Sequence, residues 1–155
     1  MLSQELTQLI YHFFHHLSLQ PDQINLHLQD NHLSVELTPP PSLKGVFIGY
    51  HAHTLDSLQL IITLIVNQYR LAHHQPKLSL TLDVAGYRQA RLQTLIAKAE
   101  ALAQKVLATH TPQPLPHLSP TERRQLHLYF KSNDAITTYS QGEGVNRQLF
   151  LAPQA

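Results

Sequence analysis

Apolar side chains recur at Leu6, Leu9, Ile10, Phe13, Phe14 and Leu17, the three-and-four spacing of one helical face, and the run stops before Pro21. This predicts an amphipathic helix over residues 3–17. The period then changes to two. Ile24, Leu26 and Leu28 alternate with polar neighbours, "QDNH" supplies a turn, and Leu33, Val35 and Leu37 alternate again, which predicts a half-buried hairpin. After "PPPS", Ser42 is placed to cap a short helix running to Ile48. Leu55, Leu58, Ile61, Ile62, Ile65 and Tyr69 mark one face of a longer helix with Thr54 as its cap, and Leu78, Leu80, Leu82 and Val84 alternate as a third strand. The predicted order is helix, two strands, two helices, strand.

Downstream, Leu92, Leu95, Ile96, Ala99, Leu102, Ala103 and Val106 predict a long helix over 87–107. Its cations Arg91, Lys98 and Lys105 recur every seven residues and form a stripe with Arg88, a pattern that most often marks a solvated face. "THTPQPLPHLSP" reads as a Pro-rich connection, "TERRQLHLYF" as a short helix, and "AITTYSQ" and "RQLFLA" as strands joined through "GEGVN". The pattern gives an α+β protein, built as one domain or as two small ones packed together.

Charge separates these halves. Up to Val84 there are three cations against six anions, a balance of −3, and beyond it eight against four, a balance of +4. A polyanion therefore prefers the second half. Nine of the twelve histidines lie in the first, whose charge is the more sensitive to pH.

The chain has no cysteine, which removes disulfides and thiolate zinc sites and suits a reducing compartment. "LQLIITLIVNQY" is too short and too interrupted to span a bilayer, so a cytoplasmic protein without membrane insertion is expected. There is no P-loop, nucleophile elbow or Ser-His-Asp context, so no catalytic residue, no enzyme activity and no cofactor are expected. His51 and His53 in "HAH" offer two imidazoles, but zinc needs three or four ligands and no motif supplies the rest, so no metal site is expected.

Four stretches together carry a resemblance: "GVFIGYHAHTLDSLQLIITLIVNQ", "LTLDVAGYRQARLQTLIAKAEALAQKV", "LSPTERRQLHLYF" and "SQGEGVNRQLFL". In this order, over roughly residues 24–152, they resemble the bacterial Jag/KhpB (SpoIIIJ-associated) family of RNA-binding proteins. That resemblance implies a type II KH domain, α-β-β-α-α-β, over residues 1–84, followed over residues 85–155 by a small α/β R-three-H domain that includes the long helix and is named for an Arg and a His separated by three residues. Here the pair is Arg123 and His127. It further implies single-stranded RNA or DNA as ligand, a KH-domain protein as a partner, and a role in post-transcriptional control of envelope growth.

The implied nucleic-acid residues fall in two places. In the KH loop they are Gly49, Tyr50, His51, Ala52 and His53, where the family pattern has a cation and a second Gly that this loop lacks. Ala52 is unfavourable there if its position needs positive φ. In the second half they are Arg123, Arg124, His127, Lys131 and Arg147, with Arg123, His127 and Lys131 on one helical stripe. Tyr129 and Tyr139 are the aromatic candidates for stacking a base. The alternative is a protein-interaction scaffold whose KH half, at −3 and without its loop cation, no longer binds RNA.

Overall fold

The computed structural model describes residues 2–154, so Met1 and Ala155, the outer ends of the expected domains, lie outside the described residues. The chain divides into compact units Met1–Arg88 and Gln89–Ala155. The sequence places the boundary after Val84. It falls later because the Arg88 guanidinium donates back to the Leu82 carbonyl (3.0 Å), Asp56 (2.9 Å) and Gln59 (3.1 Å).

In the first unit, α1 (Gln4–His15) starts at Ser3, whose hydroxyl accepts the Leu6 N–H at 3.2 Å. Strands β1 (Ile24–Gln29) and β2 (His32–Leu37) pair antiparallel through Asp30 and Asn31. Both turn residues have positive φ, 46° and 64°, the two-residue geometry whose twist matches a hairpin. Helices α2 (Pro41–Ile48) and α3 (His53–Ala72) then cross over to β3 (Ser79–Val84), which lies parallel to β2, giving the order β1-β2-β3. The expected α-β-β-α-α-β order is present.

The core of this unit joins Leu6, Ile10 and Phe14 of α1, Leu55, Ile62 and Val66 of α3, and Leu33, Val35, Leu37, Leu80, Leu82 and Val84 of the sheet. Two expected caps are not used. Pro40 precedes α2 without a side-chain bond, because Pro at the first helical position already presets φ and lacks an N–H. α3 begins one residue before Thr54, after Ala52 in a left-handed conformation.

In the second unit, α4 (Tyr87–Thr109) buries Leu95, Ala99, Ala103 and Val106. Strand β4 (Gln113–Leu115) lies inside the stretch expected to be a connection. Its Pro114 is compatible with an edge strand, and the sheet order β4-β6-β5 places it there. Helix α5 (Pro120–Phe130) is followed by β5 (Ile136–Gln141) and β6 (Gln148–Pro153). Leu126 and Phe130 of α5 pack with Ile136, Leu149 and Leu151 of the sheet and with the buried face of α4. One face of this sheet is thus core, and alternation turns Tyr139 and Phe150 to the other.

Candidate nucleic-acid interface

α5 is held at its start by a full capping box. The Ser119 hydroxyl accepts the Glu122 N–H (3.2 Å), and Glu122 Oε2 accepts the Ser119 N–H (2.7 Å). The other oxygen of Glu122 accepts from Arg91 Nε at 2.9 Å, with side chains only 13% and 18% exposed. One carboxylate therefore caps α5 and ties it to α4. Arg88 and Arg91 have intramolecular partners, so they do not continue a free cationic stripe with Lys98 and Lys105.

This anchoring fixes where Arg123 and His127 emerge. Arg123 Nη1 donates to the Leu118 carbonyl (2.8 Å) and, more weakly, to the Arg147 carbonyl at the start of β6 (3.4 Å). His127 Nδ1 pairs at 2.7 Å with the hydroxyl of Thr138 on β5. Thr138 is buried, and its hydroxyl orients the imidazole. In the tautomer in which the Thr138 hydroxyl donates to Nδ1, Nε2 carries the ring proton and can donate to an acidic oxygen.

Arg123, Arg124, His127 and Arg147 line one open depression with Pro120, Tyr139 and Ser140. No carboxylate is among these lining residues. Three guanidiniums and an imidazole thus face the same space, a donor set suited to phosphate oxygens. Arg123 is half-buried, whereas Arg124, His127 and Arg147 are exposed.

Lys131 is not part of this lining. It is the exposed C-cap of α5, one residue past Phe130, with its N–H bonded to the Leu128 carbonyl. The two candidate stacking tyrosines also separate. Tyr139 lines the depression, whereas the Tyr129 hydroxyl donates to Glu100 of α4 at 2.5 Å. That bond, with burial and the Glu100 charge, raises the Tyr129 phenol above its ordinary pKa. Thr138 and Ser140 complete the arrangement, and sequence reasoning does not single them out. A signal for Thr138 exists, since alternation along β5 places it with Ile136 on the helix-facing side.

In the first unit, Gly49 ends α2 with φ 71° and ψ −176°, and a tight turn over Tyr50–Ala52 leads into α3. A Cβ at Gly49 would stand 2.7 Å from Thr54 Cβ and 2.9 Å from its backbone nitrogen, and closer still to its hydroxyl. His51 (φ 49°) and Ala52 (φ 64°) are both left-handed, so the position of Ala52 does require positive φ. Tyr50 is 74% exposed and its ring meets that of His51 edge-on at 4.1 Å. His53 is exposed at the first turn of α3. These five residues form one loop, but they lie in a different unit from the arginine depression.

Among the described residues no helix is long and apolar enough to cross a membrane, and no group of three or more His, Cys, Asp or Glu is placed to hold a metal ion.

Comparison with known proteins bears on both units. The family model of the R-three-H domain matches residues 93–153, which contain every lining residue of the depression. The chain is 33% identical over 108 residues to the RNA-binding protein KhpB of Clostridium symbiosum, covering 70% of this chain and 47% of that protein. It is 34% identical over 110 residues to KhpB of Bacillus subtilis, covering 70% of this chain and 51% of that protein. For KhpB of Lactiplantibacillus plantarum the identity is 31% over 109 residues, covering 70% of this chain and 33% of that protein. The chain thus spans between a third and about half the length of these curated relatives.

Proposed function

Since the chain belongs to the Jag/KhpB family and carries its R-three-H domain, we propose that it binds single-stranded RNA through the arginine depression of its second unit, acting by contact rather than by chemistry. The observation that carries this reading is the convergence of Arg123, Arg124, His127 and Arg147 on one depression with no carboxylate in its lining. Arg123 and His127 are already oriented by Leu118, Arg147 and Thr138, and Arg124 and Arg147 add exposed charge beside them. The strand's phosphates occupy this space. The Gly49–His53 loop guides the strand more weakly, through backbone N–H groups at the start of α3 and without a fixed cation. Lys131 contributes only long-range attraction.

The test uses Arg124→Gln/Arg147→Gln, because the guanidinium of Arg123 also braces the fold. Single-stranded RNA affinity is measured by fluorescence anisotropy across a salt series. The wild type should lose affinity with salt, at about −0.7 in log–log slope for each phosphate neutralised. The double variant should bind more weakly and with a shallower slope. Equal affinity and slope for the two proteins would defeat the reading.

A second reading, protein interaction by the first unit, is favoured by one observation. Leu60, Ile61, Leu64 and Leu71 are all exposed on α3, an apolar stripe distinct from the buried Leu55, Ile62 and Val66. Leu9 and Leu64 border an open apolar groove between α1 and α3 beside it. The partner in this reading is another KH-domain protein. Leu64→Glu should abolish association in sedimentation experiments while leaving RNA affinity intact.

A further inference from the structure

Tyr139 belongs to two surfaces at once. It lines the arginine depression, and its ring lies parallel to that of Phe150, with 7° between the planes and 5.3 Å between centroids. The two are register partners on β5 and β6, and Phe150 is in turn the register partner of Pro114 on β4. Three non-polar residues therefore form a row across the sheet, on the face opposite the Leu149 and Leu151 core.

The sheet order makes this row directional. β5 is an edge strand, so Phe150 occupies one side of the Tyr139 ring and, among the described residues, no further strand of this sheet follows on the other. Tyr139 remains 42% exposed. An aromatic ring, backed by a second ring and bordered by Arg123, Arg124, His127 and Arg147, presents a π-face next to a phosphate-binding space. Bases and phosphates alternate with that proximity along a single strand, whereas an apolar peptide would gain nothing from the guanidiniums.

We infer that Tyr139, backed by Phe150, stacks an unpaired nucleobase of the strand whose phosphates occupy the arginine depression. This rests on the RNA-binding reading and adds to it a base-contacting position. Stacking of this kind tolerates any base, since each has a π-face, so the contact supplies affinity with little sequence preference.

The test compares wild type with Tyr139→Ala, Tyr139→Phe and Tyr139→Trp on single-stranded oligonucleotides, with and without abasic sites, and checks folding by thermal melting. Tyr139→Ala should weaken binding to the base-containing strand at least about fivefold, with the salt slope unchanged because no charge is lost. It should matter little for a fully abasic strand. Tyr139→Phe should bind within about twofold of wild type, since it keeps the ring. The chain contains no tryptophan, so Tyr139→Trp introduces a single reporter whose emission should be quenched when a base stacks on it.

A Tyr139→Ala affinity within about twofold of wild type, or RNA binding without quenching in Tyr139→Trp, overturns the inference. If Tyr139→Ala fails to fold, the Tyr139→Trp emission and the wild-type preference for bases over abasic strand decide it. The variants also separate the stacking position from the phosphate site. Loss of affinity in Arg124→Gln/Arg147→Gln with none in Tyr139→Ala sinks the stacking position alone; no loss in either sinks both.

Discussion

Replacing Gly49 by Ala should destabilise the first unit far more than its half-buried setting suggests. Two costs combine. The conformation, φ 71° with ψ −176°, is one that essentially only Gly adopts, and an L side chain there costs about 1–3 kcal/mol. The added Cβ would also meet Thr54, including its backbone nitrogen at 2.9 Å, so rotating the Thr54 side chain does not relieve the overlap. Overpacking of this type adds about 1–3 kcal/mol, for a total of about 4.

The other end of the loop supplies the control. Ala52→Gly would relieve a left-handed residue, worth about 1–2 kcal/mol, but gives up a methyl that is only 7% exposed, worth about 0.8, and loosens the unfolded chain by about 0.4–1. These terms nearly cancel, so its net effect should lie within about 1 kcal/mol of zero. Urea unfolding followed by circular dichroism, fitted with one transition per unit, measures both variants. A Gly49→Ala cost below about 1 kcal/mol, or equal effects at the two positions, would refute the steric reasoning. The contrast also explains why the first Gly of the family pattern is present here while Ala is tolerated in place of the second.

Arg91→Ala leaves the Glu122 carboxylate largely buried without its cation and should lower the stability of the second unit by about 2–4 kcal/mol in chemical denaturation, with RNA contacts otherwise intact. In alkaline difference spectroscopy Tyr129 should ionise above the ordinary tyrosine range, and Tyr129→Phe or Glu100→Gln should remove that late step. Because the folded phenol is raised, its stabilising contribution is present below the ordinary tyrosine range and is lost as pH climbs through the raised value.

The first unit is legible wherever burial follows one period. Leu33, Val35 and Leu37 alternate cleanly, and Leu6, Ile10 and Phe14 define the buried line of α1. Ile61 departs from the expected buried face of α3: it is 44% exposed, on a second apolar face that periodicity cannot distinguish from the core face. β4 is hidden because Pro112, Pro114 and Pro116 are local signals against a strand, and only pairing with β6 reveals that the edge tolerates them. Sequence spacing likewise groups Arg88 with Arg91, although their carboxylate partners are Asp56 and Glu122, about thirty residues away in opposite directions. At the candidate interface, helical spacing finds Arg123 and His127 together, and the third member of that stripe, Lys131, is the C-cap of α5 and lies outside the lining of the depression.

The bonds from Arg123 to the Leu118 and Arg147 carbonyls have a consequence for how recognition is achieved. A long cationic side chain normally surrenders rotamer freedom when it closes on a ligand. Here much of that ordering has already occurred in the folded protein, so in the proposed RNA-binding role an arriving phosphate would meet a guanidinium whose plane and position are set. Lysine would carry the same charge to the same helix face but could not reproduce the planar fork that braces one carbonyl while presenting its remaining donors outward. At this position the shape of the cation, more than its sign, is what the helix, the cap and the strand connection have been built to hold.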